Sequence, residues 1–492
     1  MVEGGLLAAE PSSHRGSGGR FRFRHKIRVR VKPVLPATNR PSAISRMLHR
    51  IRDIESPLSA REALVACLAI LLVVAGGAGI RLAYGPDVET MPTWRIGGDF
   101  VQFYIAGRIL NEYQGNRLYD LSLQEDLFCE LVPGETWLRL PFNYPPFIAV
   151  LFRPLARLPL MAATIVFLFI TPLLFAAGVW LLVSRFGWPI KGQWFLGIAG
   201  ALSFAPFLLY TWLGAQISVI GFCSVAVALC EEDRGRPFLS GMALSICLYK
   251  PPLLLLVLPM LVITRRFRVL AGFAAGGTVL ALTSAAVAGP QACVGFVERM
   301  IWWSRLSTLD SGLFNPLRYV DLKSFLRLLP LRHPVASSLI IAILAVVPSI
   351  VLLRAWLRFR NERPEDRLLL WAATLTWGLV LNVYTPFYDC IQVVPACVLA
   401  ASAARSAFSS LHYRGLGIMM LLLYLAPWGS EICARTLRLQ PYTLVLAAFG
   451  ALLLILVNDL YRGVGAPATP ATSMAWSSHR IGVDEAVTRP TR

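Results

Sequence analysis

Eleven stretches of the chain contain no Asp, Glu, Lys or Arg: 63–80, 158–184, 192–230, 237–249, 251–264, 269–297, 333–353, 368–388, 390–404, 415–430 and 439–458. About 20 apolar residues cross a bilayer as a helix, so the long 192–230 stretch must cross twice. Trp212-Leu213-Gly214-Ala215-Gln216 is its natural turn. The pattern therefore predicts an all-α polytopic membrane protein of about twelve transmembrane helices. Two passes, 237–249 and 251–264, are short and separated only by Lys250-Pro251-Pro252. Reading them as one kinked helix would invert everything downstream.

Charge decides between the two counts. The 492 residues carry 47 Lys+Arg against 28 Asp+Glu, a net charge of +19, although charged residues make up only 15% of the chain and hydrophobic ones 56%. Lys and Arg in short loops stay on the cytoplasmic side. Residues 1–61 hold 13 Lys/Arg and 4 acids, so this basic tail is placed inside. Twelve passes then leave Arg185/Lys191, Arg234/Arg236, Arg265/Arg266/Arg268, Arg354/Arg358/Arg360/Arg363/Arg367 and Arg405/Arg414 in inner loops. Merging 237–264 would put Arg265-Arg266-Phe267-Arg268 outside, so two passes are kept.

The expected organisation is a cytoplasmic tail over 1–61, a membrane domain over 62–461 and a disordered cytoplasmic tail over 462–492. The first outer loop, 84–144, is large and acidic, with 4 Arg and 9 acids; a second, 290–332, is basic, with 6 Lys/Arg and 3 acids. The second fits its outer position badly and suggests a segment lying on lipid or holding an anionic ligand. The alternating basic and apolar residues of 20–32 read as a tail resting on anionic membrane lipids. Nucleic-acid binding does not fit, because no large soluble domain is left. No cleavable secretory signal is expected either.

Specific cofactor chemistry is absent from the pattern. The nine cysteines include no Cys-x-x-Cys pair, and the six histidines are scattered, so no metal site is indicated. Phosphate-binding loops, nucleophile elbows and dinucleotide fingerprints are missing. No cofactor is expected, and a lone divalent ion near Asp99 stays open.

Polar groups instead gather in the segments placed outside. They are Gly97-Gly98-Asp99-Phe100-Val101-Gln102-Phe103-Tyr104, Asn143-Tyr144-Pro145-Pro146, Gly214-Ala215-Gln216, Tyr249-Lys250-Pro251-Pro252 and Tyr384-Thr385-Pro386-Phe387-Tyr388-Asp389. Each has a plain alternative: Asp99 as a solvated acid, the prolines as a helix entry, Gln216 or Asp389 as caps, Lys250 as a snorkelling side chain. Their shared side of the membrane favours chemistry. A surface carboxylate such as Asp99 can take the proton of an attacking hydroxyl. Lys250 can meet a lipid phosphate leaving group. Tyr104, Tyr144 and Tyr388 can pack on or hydrogen-bond to a sugar.

These residues resemble glycosyltransferase family 87. The resemblance runs from about 95 to 400 through Asp99-Phe100-Val101-Gln102-Phe103-Tyr104-Ile105-Ala106-Gly107, Leu118-Tyr119-Asp120, Tyr144-Pro145-Pro146 with Pro154-Leu155-Ala156, Gly214-Ala215-Gln216, Lys250-Pro251-Pro252 and Tyr388-Asp389. It implies a C-type glycosyltransferase fold and inverting, mannosyltransferase-like transfer from a polyprenyl-phosphate sugar to an envelope glycolipid or glycan. It places that reaction on the extracytoplasmic face of the cell membrane. It implies Asp99 as the catalytic residue, with Gln216, Lys250 and Asp389 lining the donor or acceptor pocket. The family's adjacent Gly-Gln pair is interrupted here by Ala215. The competing reading is a twelve-helix transporter or lipid-linked-sugar flippase, whose ionisable groups would sit nearer mid-membrane.

Overall fold

A computed structural model describes residues 59–84, 98–132, 141–187, 194–308, 316–329, 334–359, 363–407 and 410–462. The expectations for the two tails fall on 1–58 and 463–492, outside the described residues. Among the described residues every regular element is helical, and the one extended pairing is an antiparallel bridge between Tyr319 and Pro386. Six helices are long and apolar enough to cross a membrane, or seven if a pair bent by 49° at Ser203-Phe204 is one span.

The first of these is α1 (Ala60–Tyr84). The segment that follows, expected as the first outer loop, is folded where it is described. It contains α2 (Phe100–Glu112), α3 (Leu121–Leu131) and α4 (Pro146–Phe152). Phe100, Phe103, Ile109, Leu118, Leu127, Phe142 and Ile148 form its own hydrophobic core, which reaches Ala215, Ile217 and Tyr249 of the main bundle. Local chemistry sets the helix starts. The Asp120 side chain accepts from Leu123 N at 3.2 Å and caps α3. Pro145, extended at φ −61° and ψ 155°, places Pro146 in the first turn of α4, where a missing N–H costs nothing.

The main bundle contains α5 (Leu160–Phe186), α6 (Trp194–Leu202), α7 (Ser218–Asp233), α8 (Pro237–Ser245), α9 (Val257–Ile263), α10 (Phe267–Ala288), α13 (Pro334–Arg358), α14 (Pro364–Val380), α15 (Val393–Ala407), α16 (Ser410–Leu437) and α17 (Pro441–Arg462). Helices α11 (Pro290–Thr308) and α12 (Leu322–Leu328) belong to the basic segment flagged by its charge. Val294, Val297 and Ile301 of α11 are exposed, while Arg299 is buried. Helices α8 and α10 approach closely: a Cβ on Gly241 would meet Val269 O at 1.9 Å, and one on Gly272 would meet Phe238 O at 2.0 Å. Small residues permit such backbone contact between membrane helices.

An ion-pair network fixes one end of the bundle. Arg185 at the end of α5 meets Asp233 at 2.5 Å, and Arg367 of α14 pairs with the same carboxylate. Arg266 meets Glu232 at 2.7 Å, and Glu232 also accepts from the Trp371 indole at 2.8 Å. Arg236, just before α8, lies 3.6 Å from Glu231. The chain therefore leaves this acidic segment at Arg236 and returns to it at Arg266. Residues 237–264 form a hairpin, as the arginine distribution requires, and Lys250 lies at its tip. Its arms, Pro237–Tyr249 and Pro251–Ile263, are shorter than an ordinary span.

Candidate active site

The site grows from the turn that separates α6 from α7. Pro206–Trp212 winds as a π-helix, and its end is closed by Gln216 N donating to Thr211 O at 2.8 Å. Only glycine fits at 214, because a Cβ there would stand 2.3 Å from Tyr210 O. Ala215 then takes a left-handed φ of 53°, a conformation that costs an alanine roughly 1 kcal/mol. Strain of this kind gathers at functional sites.

Two carboxylates from distant segments meet this turn. The buried Gln216 donates through Nε2 to Asp99 Oδ2. Two residues further on, Ser218 Oγ donates to Asp389 Oδ1 at 2.9 Å. The other oxygen of Asp389 meets Lys250 Nζ at 2.5 Å. Lys250 also lies 4.5 Å from the centre of the Tyr388 ring and 5.5 Å from that of Tyr384. Its side chain is 93% buried, with the ammonium held inside the protein by Asp389.

Asp99 stands at the N-terminus of α2 without capping it, so its carboxylate is left to face Gln216. Burial pushes the Asp99 carboxyl above the ordinary carboxylate range. The Gln216 hydrogen bond and the Arg318 charge oppose this by favouring the ionised form. Burial also raises the Tyr144 hydroxyl well above its usual value, helped by Tyr384, Asp389 and Asp99. Tyr319 is raised by burial and then by Tyr384, Asp321, Asp389 and Asp99. Tyr144 and Tyr319 thus lie within electrostatic reach of both carboxylates. The Tyr144 ring packs on Phe103 at 5.1 Å and stacks with Tyr249 at 6.3 Å.

The structure brings together Asp99, Tyr144, Gln216, Lys250, Tyr388 and Asp389. It does not bring Tyr104 to them. The Tyr104 hydroxyl donates to Leu158 O at 2.7 Å, tying α2 to the segment before α5. Asp120 of the Leu118-Tyr119-Asp120 motif is a helix cap whose carboxyl is held down at about 2, chiefly by its hydrogen bond from Arg117.

Sequence reasoning passed over Arg318, Tyr319 and Asp321. The signal was the unexpected basicity of 290–332, read without assigning residues. Asp321 accepts from Ser324 N at 2.8 Å and Thr385 N at 3.0 Å, and Val320 N donates to Thr385 O at 2.8 Å. These bonds fasten the basic segment to the 384–389 motif. Arg318 Nε lies 3.5 Å from Glu431 Oε1, and Glu431 also accepts from the Tyr210 hydroxyl at 2.9 Å.

Three buried polar atoms, Gln102 Nε2, Asn143 Oδ1 and Gln216 Oε1, have no protein hydrogen-bond partner. They stand on the segments that carry Asp99, Tyr144 and the turn. Buried polar groups are normally paired, so a ligand rich in hydroxyls would suit them. No group of three or more His, Cys, Asp or Glu is gathered as a metal site among the described residues.

The sequence model of glycosyltransferase family 87 matches residues 142–386. The chain belongs to glycosyltransferase family 87. No curated protein and no solved structure matches it. Membership makes the protein a glycosyltransferase and sets aside the transporter reading. The family 87 stretch includes Tyr144, Gln216 and Lys250; Asp99 precedes it, while Tyr388 and Asp389 follow directly.

Proposed function

We propose that this family 87 enzyme transfers a mannose-like sugar from a polyprenyl phosphate to an envelope glycolipid or glycan, with inversion. The observation that carries the reading is the Gln216–Ser218 turn, which holds Asp99 on one side and the Asp389–Lys250 pair on the other. An acceptor hydroxyl attacks the anomeric carbon and gives its proton to Asp99. The bond from that carbon to the phosphate oxygen breaks, and polyprenyl phosphate leaves with the electron pair. Gln216 fixes the orientation of the base. Asp389 accounts for one donor direction of the Lys250 ammonium, which has three; the others serve the phosphate, with Arg318 adding a second positive charge. Tyr144 and Tyr388 supply the sugar-packing surface, and Tyr104 holds α2 in place.

The same reading takes the bundle as a twelve-pass, C-type glycosyltransferase fold with cytoplasmic termini and an extracytoplasmic site. Helix α7, about 24 Å long at 1.5 Å per residue, supports it by separating the site from the arginine-rich network. Purified Asp99→Asn protein should fold and bind donor while transfer from polyprenyl-phosphate mannose falls about 10²–10⁴-fold, the usual contribution of a positioned base. Undiminished transfer would sink the assignment of Asp99.

A further inference from the structure

At the opposite end of the bundle, α13, α14 and α17 enclose a groove of about 560 Å³ between Val347, Pro348, Val351, Leu454 and Ile455. This volume is in the range of a ligand site. Pro348 lies inside α13, where a proline interrupts the backbone ladder and bends the helix. From Val347 to Arg358 the helix rises about 16 Å, close to the depth of one hydrocarbon leaflet. The groove is thus apolar along its length and cationic at one mouth, where Arg354 and Arg358 lie one turn apart.

Those two arginines differ from their neighbours. Of the acids at this end of the bundle, Asp233 is matched by Arg185 and Arg367 and Glu232 by Arg266, while the charge of Asp366 acts on Tyr461. Arg354 and Arg358 make no ion pair among the described residues. Asn458 and Tyr461 complete the mouth, and the Tyr461 hydroxyl donates to Ala355 O at 3.4 Å, pinning α17 to α13. Two guanidinium groups without an ion pair among the described residues, set over an apolar slot, are complementary to a phosphodiester carrying an acyl chain.

We infer that this groove binds one anionic glycerophospholipid, with its phosphate on Arg354 and Arg358 and an acyl chain in the slot. The site is separate from the sugar-transfer pocket and does not depend on the donor assignment. Native mass spectrometry of the full chain in detergent, with phosphatidylglycerol or phosphatidylcholine added, tests it. One phosphatidylglycerol should stay bound under conditions that strip phosphatidylcholine. The Arg354→Gln/Arg358→Gln variant should bind it roughly thirtyfold more weakly, with an unchanged unfolding midpoint in lipid-free detergent. Should removing both charges unfold the chain, Ala451→Trp provides the second arm. Ala451 is an exposed groove residue, and filling the slot there should expel the lipid while leaving the arginines. Equal retention of phosphatidylcholine, unchanged binding in both variants, or preferential uptake of a polyprenyl phosphate overturns the inference.

Discussion

A carboxylate at a helix N-terminus is favoured by the N–H groups and dipole it faces, and Asp99 has that position on α2. Burial acts more strongly and raises its pKa, leaving Gln216 and Arg318 as the groups that keep the ionised form accessible. The direction of a pH effect follows. A general base works deprotonated, so kcat/KM should fall as pH drops through a limb lying above the ordinary Asp value of about 4. Gln216→Leu removes a hydrogen bond made to the ionised form, so that limb should move to higher pH. A log kcat/KM profile that stays put or shifts to lower pH would show that Asp99 is not the titrating base. At this scale the sequence was informative about residue types. Asp99, Gln216, Lys250 and Asp389 stood out as polar groups in apolar surroundings. Their partners did not, because pairing Lys250 with Asp389 requires a hairpin tip to meet the start of α15. Tyr104 and Tyr144 were equivalent by type; only packing turns one hydroxyl to Leu158 O and sets the other beside the carboxylates.

Elements were read best where apolarity alone defines them. Long helices such as α5, α10 and α17 coincide with charge-free windows. The interruptions were harder to foresee: the bend at Ser203-Phe204 and the π-helix Pro206–Trp212 lie in an unbroken apolar run, where hydropathy carries no signal. The Gly214 turn was visible only as punctuation, yet it sets the position of Gln216. Gly214→Ala adds a Cβ 2.3 Å from Tyr210 O, which forces the backbone to move at a cost of about 1–3 kcal/mol. A displacement near 1 Å at a base-positioning residue costs up to about 10²-fold in rate. The variant should therefore lose kcat/KM steeply while its unfolding midpoint drops only modestly. Gly200→Ala is the control, since nothing lies within 4 Å of its added Cβ, and it should leave both quantities nearly unchanged. Equal effects from the two substitutions would show that the turn geometry does not position the site.

Across the whole molecule two charged clusters occupy different ends of α7. Arg185, Arg236, Arg266 and Arg367 converge on Glu231, Glu232 and Asp233, while Asp99, Asp389 and Lys250 converge on the other end of α7. Loop charge singled out the arginine-rich cluster, because runs of Lys and Arg between apolar stretches are visible in the sequence. The docking of the acidic and basic segments was not legible, since it rests on long-range contacts such as Asp321 to Thr385. Sidedness is testable with a membrane-impermeant maleimide on whole cells, in a chain lacking the half-exposed Cys129, Cys223, Cys293, Cys397 and Cys433. A cysteine at Leu121, exposed on α3, should label in intact cells. One at Arg236, whose side chain is 63% exposed beside the acidic segment, should label only after permeabilisation. The reverse pattern would place the sugar-transfer site on the cytoplasmic face, where a donor lipid would have to be presented from the inner leaflet. Labelling of both in intact cells would mean that α7 and α8 do not separate two compartments, and the carboxylate turn could not then work at a membrane surface.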